Sequence, residues 1–126
     1  MRALFAAVFA AALLAPPAAA QETSLDELIV RARKRDAGAE YALGMKAYEG
    51  RGVPRNFGQA FRLVERAAKR GHLEAQNTAG FFLQHGIGTA ADLSRARDWY
   101  EIAAARGLAS AQVNLCLLYT SDAADE

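Results

Sequence analysis

Ala39-Glu40-Tyr41-Ala42-Leu43-Gly44-Met45-Lys46-Ala47-Tyr48-Glu49-Gly50-Arg51-Gly52-Val53-Pro54 sets the architecture of the chain. Its pattern returns 36 residues later, from Ala75 to Ala90. Ala39, Gly44, Gly50 and Gly52 recur as Ala75, Gly80, Gly86 and Gly88. Further along, Ala60, Ala67, Ala68 and Gly71 recur as Ala96, Ala103, Ala104 and Gly107, and a third round opens at Ala111. A fixed period of this length marks stacked supersecondary units, an architecture that more often binds macromolecules than catalyses reactions.

Each unit divides into two helical segments. The first, called A, covers Ala39 to Glu49 and Ala75 to His85; it is rich in Ala, Leu, Met and Phe, lacks Pro and carries apolar residues at helical spacing. A glycine-rich turn follows, at Gly50 to Pro54 and Gly86 to Ala90, where glycine takes positive φ at little cost. The second segment, B, starts after the N-cap residues Asn56 and Asp92. It carries Ala60, Phe61, Val64, Ala67 and Ala68, or Ala96, Trp99, Tyr100, Ala103 and Ala104, as an apolar stripe. Basic residues before Gly71 and Gly107 face the negative end of the B helix. Glycine inside helix A, at Gly44 and Gly80, costs about 0.8–1 kcal/mol against alanine, so a close helix neighbour is expected to offset it. No strand pattern appears, and the fold class is all-α: a solenoid of antiparallel helix pairs.

Six segments follow along the chain. Residues 1–20 have a charged start at Arg2, an apolar run to Ala15, Pro16-Pro17 and an Ala-rich cleavage pattern, which reads as a secretory signal peptide. Residues 21–35 hold Ser24-Leu25-Asp26-Glu27, the form of a capping box, then Leu25, Leu28, Ile29 and Ala32 at helical spacing, closed by Arg33-Lys34-Arg35; this is an N-terminal capping helix. Repeat 1 spans 36–71, repeat 2 spans 72–107, and residues 108–115 begin a third unit. Residues 116–126 match one reading frame of a transposase adapter used to build sequencing libraries. They are expected to be an adapter-derived tail, the native sequence continuing past Leu115. Without the leader and the tail, 14 basic face 11 acidic residues, a net +3, too small and dispersed to indicate nucleic acid. Cys116 is the only cysteine, so no disulfide is expected.

The run Ala-Glu-Tyr-Ala-Leu-Gly-x-x-x-Tyr-x-Gly-x-Gly-Val-Pro, followed by Ala60 and Ala67-Ala68-x-x-Gly71, resembles the Sel-one-like repeat family, relatives of the tetratricopeptide repeats. The resemblance covers Asp36 to Gly107 and, in part, Leu108 to Leu115. Gln84 departs from Tyr48, and Thr89-Ala90 from Val53-Pro54; Cys116 falls where the helix A glycine belongs. The resemblance implies a right-handed α-solenoid serving as an adaptor in protein assemblies, in bacteria often in the envelope or in signalling. Some exported cysteine-rich members, whose repeats are bridged by paired cysteines, are linked to penicillin binding; this chain has no such pairs.

Chemistry-bearing motifs are sparse. His72 and His85 stand apart from any second ligand at metal spacing and read as a helix-start and a loop-edge residue. Gly86-x-Gly88 follows a helix, so it is a repeat turn and not a dinucleotide loop. Asp98 and Glu101 form a solvated helix edge, with Arg95 three residues before Asp98 as its expected partner. Neither a catalytic residue nor a cofactor or metal site is assigned. The expected partner is a protein or peptide, bound through helix A positions that vary between units: Tyr41 and Met45, matched by Asn77 and Phe81. Two rival readings are a penicillin-interacting or beta-lactamase-like envelope enzyme and a structural spacer. The oligomeric state is left open.

Overall fold

The computed structural model describes residues 23–125; the leader expected at 1–20 lies outside them. The described residues form six helices and no strand: α1 (Leu25–Arg33), α2 (Ala37–Glu49), α3 (Phe57–Lys69), α4 (Leu73–His85), α5 (Leu93–Ala105) and α6 (Ala109–Asp125). Helices adjacent in the chain pack on one another in turn. Pairs α2–α3 and α4–α5 are the two A–B units of a right-handed α-solenoid, with α1 covering one end.

Helix starts are set by side chains that accept from a first-turn amide, each worth about 1 kcal/mol. Ser24 accepts from the Glu27 amide at 3.2 Å, Asn56 from Gln59 at 3.0 Å and Asp92 from Arg95 at 3.1 Å. The A helices begin two residues ahead of Ala39 and Ala75 because Asp36 Oδ1 and His72 Nδ1 cap them, accepting from Ala39 at 3.2 Å and Ala75 at 3.1 Å. Asp36 also accepts from Arg31 Nε at 2.9 Å. That bond, with the Ala39 amide, holds its carboxyl below the ordinary value of 3.8. At the ends of α3 and α5 the chain turns through Gly71 (φ 96°) and Gly107 (φ 94°). The matching residue after α1 is Arg35, at φ 64°, a left-handed conformation that costs a non-glycine residue about 1 kcal/mol.

The close approach expected at the helix A glycines is present in both units. A Cβ on Gly44 would lie 2.8 Å from Val64 Cγ2 and 3.2 Å from the Ala60 carbonyl; one on Gly80 would lie 2.7 Å from Tyr100 Cε1 and 3.2 Å from the Ala96 carbonyl. The alanines admit the opposing backbone, and the bulk pressed against each glycine comes from Val64 or Tyr100. Exchanging Val64 for Tyr100 brings a hydroxyl into a fully buried position, and that hydroxyl donates to Gln84 Oε1 at 2.7 Å. Gln84 occupies the place of Tyr48, so the departure from the repeat pattern supplies the acceptor the larger aromatic needs. Val64, Ala67, Ala75, Ala79, Phe82, Leu83 and Tyr100 are buried in one continuous core.

α6 runs from Ala109 to Asp125, because Leu118 extends the spacing of Ala111 and Leu115 and is buried at the register of Phe82. One expectation is corrected. Arg95 reaches across to Glu65 on α3 instead of pairing along its own helix with Asp98.

Gly80→Leu is expected to lower unfolding stability by about 2 kcal/mol or more, since neither the Tyr100 ring nor the Ala96 carbonyl has room to yield; a chemical denaturation curve measures it. Burial pushes the Tyr100 phenol up to about 12 from its ordinary 10.0. Because the folded state holds this proton more tightly, the stabilisation is complete below pH 10 and is lost as pH rises toward 12. Alkaline melting curves are expected to fall over that window and to flatten in Tyr100→Phe.

Candidate functional site

Position 41 of the first unit and position 77 of the second share one place in the repeat, and their side chains do the same job. Tyr41 bonds Thr78 Oγ1 at 3.3 Å and stacks on the His72 ring at 4.7 Å, both belonging to the next A helix and its cap. Asn77 donates to Ser110 Oγ at 3.3 Å and accepts from Asn114 Nδ2 at 3.0 Å, again on the next A helix. Tyr41–Thr78 and Asn77–Asn114 are equivalent pairs, each 37 residues apart, so they form a polar ladder from α2 through α4 to α6.

Of the four candidate residues, the structure thus brings Tyr41 and Asn77 into contacts between units. Met45 packs against the core. Phe81 remains 38% exposed, its ring 4.4 Å from that of His85 and 6.4 Å from that of Phe82. The same two positions on α6 are Val113 and Leu117, which are 57% and 59% exposed. Among the described residues, no group of three or more His, Cys, Asp and Glu side chains is placed to hold a metal ion. Likewise, no described helix is long and apolar enough to cross a membrane.

A second feature, absent from the sequence reading, is a groove of about 930 Å³ between α1 and α3, floored by α2. Leu25, Ile29, Leu43 and Leu63 give it an apolar lining, and Arg33, Arg35, Arg55, Arg66 and Arg70 stand around it. Glu40 is its one acidic residue and is 2% exposed. Arg70 Nε lies 2.8 Å from Glu40 Oε1, and Arg66 Nε 3.5 Å from Oε2. The Arg70 approach is oblique, so Oε1 is neutralised by charge and has no in-line hydrogen bond. In the second unit Gln76 holds this place, donating to the Ala68 carbonyl at 3.3 Å and accepting from Arg106 at 3.0 Å. The only sequence signal for the groove was the contrast between the two units at these lining positions.

A stack of antiparallel helix pairs whose A helices bond along one layer is a solenoid repeat protein. The chain belongs to the Sel1 repeat family, whose model matches residues 37–72 and 73–108. It is similar to a Sel1 repeat protein of Oxalobacter formigenes, at TM-score 0.71 and 36% identity over 72% of this chain and 68% of that one. It also resembles a protective antigen of uropathogenic Escherichia coli strains with an SLR fold, at TM-score 0.76 and 31% identity over 80% of this chain and 22% of that one. Among curated relatives, it is 37% identical over 89 residues to chitin synthase regulatory factor 3 of Schizosaccharomyces pombe, covering 68% of this chain and 9% of the relative. A putative sel1-like repeat-containing protein of Acanthamoeba polyphaga mimivirus is 38% identical over 61 residues, covering 48% of this chain and 11% of the relative. The chain thus spans about a tenth of the length of the curated relatives it matches. Sel1 repeat proteins mediate protein–protein interactions.

Asn77→Ala removes both of its bonds to α6 and is expected to cost about 1–2 kcal/mol, as read by denaturation. A double-mutant cycle with Asn114→Ala is expected to show a coupling of about 0.5 kcal/mol or more.

Proposed function

We propose that the chain is an exported, non-catalytic adaptor that holds a protein or peptide partner in a bacterial envelope or signalling assembly. The observation that carries this reading is a repeat stack whose glycine and alanine contact positions are kept while the A-layer positions vary, leaving the Phe81 ring exposed beside His85. A large exposed aromatic on a rigid helix is the type of anchor that protein interfaces use. Supporting export is the leader-like pattern of residues 1–20. The name of the yeast relative, a regulatory factor, is consistent with action through binding. Phe81 is the foremost contact in this reading, with Met45, Tyr41 and Asn77 holding the surface around it.

Crosslinking in an envelope extract, read by mass spectrometry, tests the reading. The chain is expected to capture a discrete protein partner, and Phe81→Ala to reduce capture by about tenfold, as for an interface anchor worth 1–2 kcal/mol. Capture unchanged by Phe81→Ala would remove this residue from the interface. Cell fractionation is expected to place the chain outside the cytoplasm, and deletion of residues 2–20 to retain it inside.

A further inference from the structure

The groove between α1 and α3 has a positional counterpart between α3 and α5, where the residues differ: floor residue Leu43 becomes the smaller Ala79, but three other lining positions gain bulk. Where the first groove has Leu25, Ala47 and Leu63, the second has Phe61, Leu83 and Trp99, each larger. Where the first has Ile29 and Gln59, the second has Glu65 and Arg95, whose ion pair links α3 to α5.

The charge around the groove is also particular to the first unit. Arg33, Arg35, Arg55, Arg66 and Arg70 correspond to Lys69, Gly71, Ala91, Ile102 and Arg106, so only two of the five basic positions persist. Five arginines against the single carboxylate of Glu40 leave a net +4 on the lining, whereas the whole chain carries +1. Arg35 further holds a left-handed backbone where both later units use glycine, a conformation kept against local preference. Its side chain lies on the groove.

We propose that this groove binds an acidic peptide segment of a partner protein, with one or two large apolar side chains on the floor and flanking carboxylates on the arginines. This assignment rests on the adaptor reading above and gives the partner its chemistry. Charge complementarity selects the acidic residues, because arginine pairs with carboxylates in a planar, two-bond geometry. The apolar floor selects a peptide over a nucleic acid, whose phosphates would use the rim and leave Leu25, Ile29, Leu43 and Leu63 uncovered.

Fluorescence anisotropy on the full chain tests the proposal, with a labelled glutamate-rich peptide carrying one leucine and one phenylalanine as probe. Saturable binding is expected, weakened about tenfold or more when salt rises from low to physiological strength and the rim charges are screened. It is also expected to fall about tenfold when the two apolar residues of the probe become serine. Arg35→Gly is expected to raise the melting temperature by about 3–5 °C while weakening binding about threefold or more. Arg55→Glu, at an exposed loop position, is expected to weaken it further. Ala47→Leu with Leu63→Trp, which copies the second unit, is expected to abolish it. Phe81→Ala is expected to leave it unchanged. Absence of saturable binding, equal binding of a lysine-rich probe, tighter binding of a single-stranded oligonucleotide, or indifference to the arginine variants would overturn the proposal. Partner capture in envelope extract that survives the Arg55→Glu and groove-filling variants but is lost in Phe81→Ala would overturn it while leaving the adaptor reading standing.

Discussion

The stack depends on two missing Cβ atoms. At Gly44 and Gly80 helix A lies so close to helix B that a methyl group would press into a side chain and a carbonyl together, and every other contact in the unit presupposes that distance. Alanines at 60 and 96 bring the opposing backbone forward. The glycine turns at 50 and 86 reverse the chain tightly enough for the pair to close. With the pair closed, the next A helix seats against the B helix, and the core runs on from Ala47 to Leu118 without a break. A glycine that weakens its own helix is thus the condition for two helices to bury each other.

Within this fixed frame the two units diverge at positions that fill space. Val64 against Gly44 and Tyr100 against Gly80 are alternative ways to complete the contact around the helix A glycine, the second adding a hydroxyl for which Gln84 is the acceptor. Leu63 and Trp99, or Ala47 and Leu83, are alternatives for the space between successive B helices, and the smaller set leaves a groove. Glu40 and Gln76 show the same logic in polar form: each meets an arginine at the end of the following B helix, but only the amide can also donate to the carbonyl behind it. Differences between units, more than the shared motif, carry what is individual about this chain.

That division explains what the sequence made legible. The helices, their order, the glycine contacts and most caps follow from local chemistry repeated at a fixed period, so reading one unit nearly reads the next. The A-helix starts were placed late because Asp36 and His72 lie outside the apolar pattern, although both are well-formed caps. Tyr41 and Asn77 were recognised as variable positions on one face, but variability does not distinguish a residue facing a ligand from one facing the next repeat; only their reach to Thr78 and Asn114 does. The groove is hard to read because its lining comes from α1, α2, α3 and a turn, joined by no motif, so that only the contrast between the two units points to it. Leu118 was set aside with its segment, yet its spacing from Ala111 and Leu115 already placed it on the buried stripe of α6.

The first unit combines an open inter-helix space with arginines that the repeat itself does not require. Nuclear magnetic resonance of the arginine Nε–Hε groups, followed during titration with the acidic peptide, tests it most directly. Saturating shifts are expected at Arg33, Arg35, Arg55, Arg66 and Arg70, and none at Arg97 on α5. Shifts spread evenly over all arginines, or confined to residues around Phe81, would contradict it.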